Sequence, residues 1–148
     1  MSSAVLPEPG ATDRSRGESF LARLSVGVAF ILCLLPPRLL RSTMRVVVSG
    51  GKRPTPERAE RYRTLVVSVS TLCAGEGCLP RSVASATLAR LHGHGLTWCT
   101  GIREQPFLAH AWVEVDRTPV GEVTSLEGLR VMLRAAPRYD AAVGELRS

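Results

Sequence analysis

Three residue types in the second half of the chain could together carry out nucleophilic catalysis. Cys78 lies at the predicted start of a helix, His110 lies on a predicted strand, and acidic residues follow around a predicted hairpin. A cysteine attacks as its thiolate, which the partial positive charge of a helix N-terminus and a neighbouring imidazole both favour. The backbone N–H groups of the same helix start can point at a developing oxyanion. The pattern therefore predicts Cys78 as a nucleophile and His110 as its base.

A third group has to fix the tautomer and the orientation of the histidine ring. The acidic candidates are Glu114, Asp116 and Glu122. Glu114 lies on the same predicted strand as His110, from which pairing with the ring is awkward. Asp116 lies at the turn, where an aspartate is common for backbone reasons alone. For a hairpin turn centred on residues 117 and 118, His110 would face a residue just past position 123. Glu122 lies on the returning strand, and a shift of register in this turn would bring it within reach. We favour Glu122 and keep Asp116 close behind it.

The other cysteines and two of the histidines have simpler explanations. Cys33, Cys73 and Cys99 fall within or at the end of predicted helices and strands, where a cysteine usually serves as a small buried hydrophobic residue. His92 and His94 could bind a metal ion, but at a helix end they more commonly interact with the helix dipole. The chain has no Cys-x-x-Cys and no histidine pair at zinc spacing, so we expect no metal and no other cofactor. A need for nucleotide stays open, although no phosphate-binding loop is present.

The apolar pattern predicts the elements that position these residues. Pro36 and Pro37 end a first helix over 18–35, because proline cannot continue a helix. Thr55 is a plausible N-cap, followed by Pro56 at the first helical position. The predicted elements in order are the helix 18–35, one or two amphipathic turns, a helix from 55 to about 72, a helix from 78 to 92, strands 96–103, 108–115 and 119–123, and a helix over 125–134 capped by Ser125.

The 148 residues suggest a single domain with extensions. The predicted organisation is a disordered N-terminus over 1–17, a helical extension over 18–50, a core over 51–135 and a weakly structured tail over 136–148. The net charge of +6 comes almost entirely from scattered arginines, without a basic motif interleaved with aromatic residues. Nucleic acid is therefore a weak candidate for a partner.

The sequence also suggests a compartment. The first apolar stretch follows a long polar start and precedes no small-residue cleavage site, so no secretory signal peptide is expected. Four cysteines without a disulfide framework predict free thiols in a reducing cytoplasm. The apolar run from Val26 to Leu35 is too short to span a bilayer of about 30 Å. We favour a buried helix there. A peripheral membrane contact or a partner-docking helix formed by residues 18–35 is the alternative interpretation.

Three blocks of sequence, in this order, resemble the transglutaminase-like leader peptidases of lasso peptide biosynthesis in bacteria. The resemblance extends over roughly residues 55–135. The blocks are Cys-Leu-Pro-Arg-Ser-Val-Ala at 78–84, Gly-Ile-Arg at 101–103, and Pro-Phe-Leu-Ala-His-Ala-Trp-Val-Glu-Val-Asp-Arg-Thr-Pro-Val-Gly-Glu at 106–122. The resemblance implies an α+β, papain-like core, in which a helix carrying the cysteine packs on a small antiparallel sheet. Cys78 and His110 match the catalytic pair of that family. Its third member is usually an aspartate, at a position that falls on Glu122 here.

The resemblance also implies an activity and partners. Family members remove the leader from a ribosomally made precursor peptide, and a cyclase then closes the ring of the released core peptide. The resemblance therefore implies a role in the biosynthesis of antibiotics of this class. Short members act with a small, separate leader-recognition protein, and this chain shows no obvious domain for that role. Two alternatives of other classes are a catalytically inactive transglutaminase-fold module that binds peptides, and a membrane-associated adaptor. The intact cysteine and histidine argue against the inactive module.

Overall fold

A computed structural model describes residues 11–75, 77–122 and 126–140. Within these ranges the chain begins with helices, and a small sheet follows. The helices are α1 (Ala11–Leu32), α2 (Pro37–Ser49), α3 (Pro56–Val69), α4 (Thr71–Ala74) and α5 (Cys78–Leu91). The strands are β1 (Thr97–Glu104), β2 (Phe107–Val115), β3 (Thr118–Pro119) and β4 (Arg130–Ala135).

Local sequence signals set several of the helix boundaries. The hydroxyl of Thr55 accepts a hydrogen bond from the Arg58 backbone N–H at 3.2 Å, and Pro56 occupies the first helical position. This confirms the N-cap predicted for α3. Helix α5 begins at Cys78 as predicted. It ends just before Gly93, whose φ of +82° suits a residue without a side chain.

The N-terminal helices are longer than the sequence pattern indicated. Helix α1 begins at Ala11, inside the stretch 1–17 that was expected to be disordered. Helix α2 extends over 13 residues, where one or two turns were expected. Its buried residues, Leu40, Met44 and Val48, recur every four positions and form a single face. Tertiary packing of that face stabilises a helix that local propensity alone does not reveal.

The sheet is antiparallel, with the strand order β3-β2-β1-β4. Strands β1 and β2 pair so that His110 lies opposite Gly101. Strands β2 and β3 form a hairpin whose turn residues, Asp116 and Arg117, both have positive φ values, 51° and 65°. This turn is centred one residue earlier than the turn predicted at 117 and 118. The earlier turn changes which residues of the returning segment lie beside β2.

The helix predicted over 125–134 is wrong, because residues 130–135 form strand β4. Val131 and Leu133 lie two positions apart, which is the period of a strand, and they pair with Gly101 and Thr100 of β1. Gly128, with a φ of +78°, forms the turn before the strand. Ser125, the predicted cap, lies outside the described residues.

Helix α5 lies at the centre of the fold, between the other long helices and the sheet. Its residues 81–86 are all buried. The indole N–H of the fully buried Trp98 on β1 donates to the Ser82 hydroxyl at 3.0 Å, which joins the helix to the sheet. A helix that carries the cysteine and packs on a small antiparallel sheet is the α+β, papain-like arrangement that was predicted.

Both ends of the described chain belong to the core. Ala22 and Ala29 of α1 are fully buried, so the extension predicted over 18–50 packs as part of the same hydrophobic core. At the other end, Asp140 is buried, accepts a hydrogen bond from the Thr97 hydroxyl at 2.6 Å and pairs with Arg134 at 3.1 Å. The first part of the predicted tail is thereby fixed to the sheet. Among the described helices, none has the length and apolar character needed to cross a membrane.

Candidate active site

Cys78 is the first residue of α5 and is partly exposed. The residue before it, Gly77, is the N-cap of the helix, and its carbonyl accepts from the Arg81 backbone N–H at 3.0 Å. The thiol therefore lies where the unpaired N–H groups of a helix start give a local positive potential. This is the placement that the sequence predicted for the nucleophile.

The loop before Cys78 is held by a residue that the sequence analysis missed. Arg81 is 9% exposed, and its guanidinium donates to the backbone carbonyls of Cys73 at 3.2 Å and Gly75 at 3.3 Å. Hydrogen bonds from a charged donor are about twice as strong as neutral ones. Arg81 thus ties the chain on one side of the cysteine to the helix on the other. The signal in the sequence was an arginine in the first half of a helix whose neighbouring residues are small or apolar.

His110 lies on β2 and is 8% exposed. Its ring stacks on Trp112, with 6.1 Å between the ring centroids and an interplanar angle of 14°. Gly101 on the neighbouring strand leaves the space for this indole, because a Cβ there would lie 3.1 Å from the Trp112 ring and 2.9 Å from the Arg130 carbonyl oxygen. The glycine and the tryptophan are therefore part of the packing that surrounds the histidine.

Glu122 contacts the histidine directly. The distance between His110 Nε2 and Glu122 Oε2 is 2.6 Å, and each side chain is 7% exposed. A short, water-shielded contact of this kind fixes the orientation of the imidazole ring and stabilises positive charge on it. Because Glu122 engages Nε2, Nδ1 is the ring nitrogen through which a proton could be exchanged with a thiol.

The segment that carries Glu122 is held in place by contacts with β2 and with α3. The Val120 backbone N–H donates to the Val113 carbonyl at 2.9 Å, which continues the hairpin pairing past β3. Gly121 has a φ of +62°, and a Cβ on it would lie 2.9 Å from the Arg63 side chain. Only glycine combines this backbone conformation with such close packing against α3. These contacts direct Glu122 back towards His110.

The two other acidic candidates have different partners. Asp116 lies at the hairpin turn and forms an exposed ion pair with Arg53 at 3.1 Å. Glu114 accepts a hydrogen bond from the Trp112 indole N–H at 2.8 Å. Of the acids weighed from the sequence, the structure places Glu122 against His110.

Cys78 and His110 line the same groove, which has a volume of about 270 Å³. Its other lining residues come from three strands and the start of α5, and they are mostly apolar: Leu79, Thr100, Gly101, Ile102, Ala109, Ala111 and Met132. The structure therefore brings the predicted nucleophile and base to one surface depression, although 31 intervening residues separate them in the sequence.

The other cysteines occupy less reactive environments. Burial raises the pKa of the Cys33 thiol to about 11 and that of the Cys99 thiol to about 12. The Cys33 and Cys99 thiols therefore remain protonated at neutral pH and are poor nucleophiles. Cys73 is fully buried, and its backbone carbonyl accepts from the Arg81 guanidinium. These positions agree with the core role predicted for them.

His92 and His94 form part of a packed aromatic cluster with Tyr62. The Tyr62 hydroxyl lies 2.6 Å from His94 Nδ1, and the tyrosine ring is 5.1 Å from that of His92. His92 Nδ1 lies 3.0 Å from the Leu88 carbonyl oxygen at the end of α5. Across the described ranges, no three His, Cys, Asp or Glu side chains are grouped so that they could hold a metal ion.

The fold and the position of the cysteine define a papain-like class of protein, in which the nucleophile begins a helix packed on an antiparallel sheet. A family comparison gives the same result, since residues 22–134 match the Transglutaminase-like superfamily. The chain belongs to this superfamily, which includes cysteine peptidases. The match begins within α1, so it includes most of the predicted N-terminal extension as well as the core. Neither the curated proteins nor the solved structures gave a significant match.

Proposed function

We propose that this protein is a cysteine peptidase that removes the leader from a lasso peptide precursor. The observation that carries the proposal is the buried contact between His110 and Glu122 at the groove that Cys78 also lines. Membership of a superfamily that includes cysteine peptidases supports the reaction class. The narrower substrate assignment rests on the resemblance of the three sequence blocks, 78–84, 101–103 and 106–122.

The proposed reaction begins with proton transfer from the Cys78 thiol to Nδ1 of His110. The Cys78 sulfur attacks the carbonyl carbon of the last leader residue and forms a tetrahedral intermediate. The backbone N–H of Cys78 donates to the oxyanion. His110 then protonates the amine nitrogen, the C–N bond breaks, and the core peptide leaves with a free N-terminus. Water, deprotonated by His110, hydrolyses the resulting thioester, which releases the leader and restores the thiol.

Glu122 acts in this scheme as a positioning residue. Its contact with Nε2 directs Nδ1 to the sulfur and stabilises the imidazolium that forms when the ring takes the thiol proton. A glutamate is one methylene longer than the aspartate usual in the resembled family. From the backbone position set by the turn at Gly121 and the Val120–Val113 hydrogen bond, the glutamate side chain reaches the ring. The proposed reaction uses no cofactor.

We also propose that a separate leader-recognition protein delivers the precursor and that the cyclase acts on the product in the cytoplasm. One face of α1 supports the docking of such a protein, because it exposes large apolar side chains: Phe20 at 66%, Leu24 at 47% and Ile31 at 67%. Exposed apolar patches commonly mark interaction surfaces. The same side chains would make the membrane contact considered for residues 18–35. Co-purification with the recognition protein and sedimentation with anionic vesicles separate these two uses.

Cleavage of the cognate precursor tests the proposed reaction. The precursor is incubated with the leader-recognition protein and with wild type, Cys78→Ala or Cys33→Ala, and mass spectrometry follows the leader and core fragments. We expect the wild type and Cys33→Ala to cut and Cys78→Ala to leave the precursor intact. Cleavage by Cys78→Ala would show that another residue is the nucleophile. A bound but uncut precursor with the wild type would favour the inactive binding module.

A further inference from the structure

Strand β4 contains an irregularity beside the groove. Thr100 of β1 pairs with Leu133, but the next residue, Gly101, pairs with Val131. Met132 is therefore the extra residue of a β-bulge and has no partner on β1. Because β4 is an edge strand of the sheet, it pairs on one side only. Bulges are common at sheet edges and next to active sites, where they redirect a side chain.

The bulge directs Met132 to the groove that holds the catalytic pair. Its side chain lines that groove together with Cys78 and His110, and the residue remains 54% exposed. The adjacent Val131 is similarly exposed, at 48%, but it is not a lining residue. Met132 therefore forms an outer wall of the groove that a bound peptide can contact directly.

The rest of the lining determines which side chains the groove accepts. Apart from Cys78, His110 and the hydroxyl of Thr100, the side chains of the described residues that line it are apolar. Among these described lining residues none is Asp, Glu, Lys or Arg, so they offer a charged substrate side chain no ion-pair partner. Moving a charge out of water without such a partner is costly, whereas an apolar side chain gains from burial. Methionine adapts its shape to irregular apolar ligands.

We propose that this groove binds an uncharged, apolar side chain of a leader residue close to the scissile bond, and that Met132 determines this specificity. The inference rests on the proposed peptidase function, because the groove matters only if a peptide is cut beside it. Met132 is a specificity-determining residue here. It takes no part in proton transfer or in the attack by sulfur.

A charge-complementation experiment tests the role of Met132. Precursors carry Leu or Glu at each leader residue close to the cleavage point in turn, and kcat/KM is measured with the recognition protein present. For wild type we expect Glu at one of these positions to lower kcat/KM by about tenfold or more relative to Leu. Met132→Lys supplies a cation at the groove, and we expect it to shift the Leu-to-Glu ratio at that position about tenfold towards Glu.

Val131→Lys is the matched control, because it adds the same charge to the neighbouring exposed position of β4. We expect it to leave the ratio unchanged. If both variants shift the ratio equally, or if Met132→Lys does not shift it, the specificity role of Met132 is refuted. Failure of the proposed function looks different, because wild type would then cut none of the precursors. Thermal unfolding of both variants checks that each retains the fold.

Discussion

At the scale of single residues, the decisive feature is the choice of acid that faces His110. The sequence supplied three acids within nine residues, and the hairpin turn decided among them. The structure centres that turn on Asp116 and Arg117, both with positive φ. An arginine in this conformation gives no sequence signal, since glycine or asparagine is the usual marker. The sequence therefore indicated Cys78 and His110 as candidates, but it did not reveal the register that brings Glu122 to the His110 ring.

Glu122 and Asp116 should differ sharply in their effect on catalysis. Glu122→Gln retains a side-chain oxygen but removes the charge that stabilises the imidazolium, so we expect kcat to fall by about a hundredfold or more. Asp116→Asn breaks only an exposed ion pair with Arg53, and kcat should stay within about twofold of the wild-type value. Precursor cleavage measures both. Equal losses in the two variants would contradict the assignment of Glu122.

His94 should make stability depend on pH. Burial, followed by the charges of Arg58, His92 and Lys52, lowers its pKa from the usual 6.5, so the folded protein favours the neutral form of the ring that contacts the Tyr62 hydroxyl. As the pH falls below about 6.5, the unfolded chain binds a proton that the folded chain does not, and stability is lost. We expect Tm to fall more between about pH 7.5 and pH 5.5 in wild type than in His94→Gln. An identical pH dependence in both would contradict this role.

At the scale of elements, the sequence pattern predicted the start of α5 correctly but predicted a helix where strand β4 forms. The start at Cys78 was predictable, because two glycines stop the preceding segment and Pro80 suits a first turn. Strand β4 was mistaken for a helix because a short apolar stretch fits either period. Only its pairing with β1, a contact between segments about 30 residues apart, decides between them.

Arg81 should affect catalysis more than a purely structural residue would. Arg81→Met removes both hydrogen bonds to the loop before Cys78, so the thiol loses its fixed position relative to His110. We expect kcat/KM to fall by about tenfold to a hundredfold, because small misplacements of reacting groups are costly. Arg81→Lys, which restores one charged donor, should recover part of this loss. Wild-type kcat/KM in a correctly folded Arg81→Met protein would contradict the positioning role.

At the scale of the whole molecule, the N-terminal helices are part of the same hydrophobic core as α5 and the sheet. The sequence suggested an extension over 18–50 beside a separate core, since the apolar run and the glycines at 50 and 51 resemble an appended segment and a linker. In the structure α1 packs on α3 and α5, and its small buried residues permit close approach to the helix that carries Cys78. A sequence pattern shows that a helix is apolar, but it does not show which elements its face covers.

Removing the N-terminal helices should therefore unfold the core. A chain that begins at Gly51 would expose the surface of α5 that α1 and α2 cover, and we expect circular dichroism to show no cooperative unfolding transition.

A matched pair of point variants tests the same packing in the full chain. Ala29→Asp places a charge at a fully buried site and should cost about 3 kcal/mol or more. Ile31→Asp, at a site that is 67% exposed, should change stability by less than about 0.5 kcal/mol. A cooperatively folded truncated chain would contradict this view.

Covalent trapping of the nucleophile tests the central claim most directly. A leader peptide ending in a chloromethyl ketone is incubated with the full chain and the leader-recognition protein, and intact mass and peptide mapping locate the adduct. We predict one thioether on Cys78, formed slowly with His110→Ala and absent with Cys78→Ala, while a scrambled leader with the same electrophile labels poorly. Labelling of Cys33 or Cys99 instead, or equal labelling by the scrambled leader, would contradict a leader peptidase that uses Cys78.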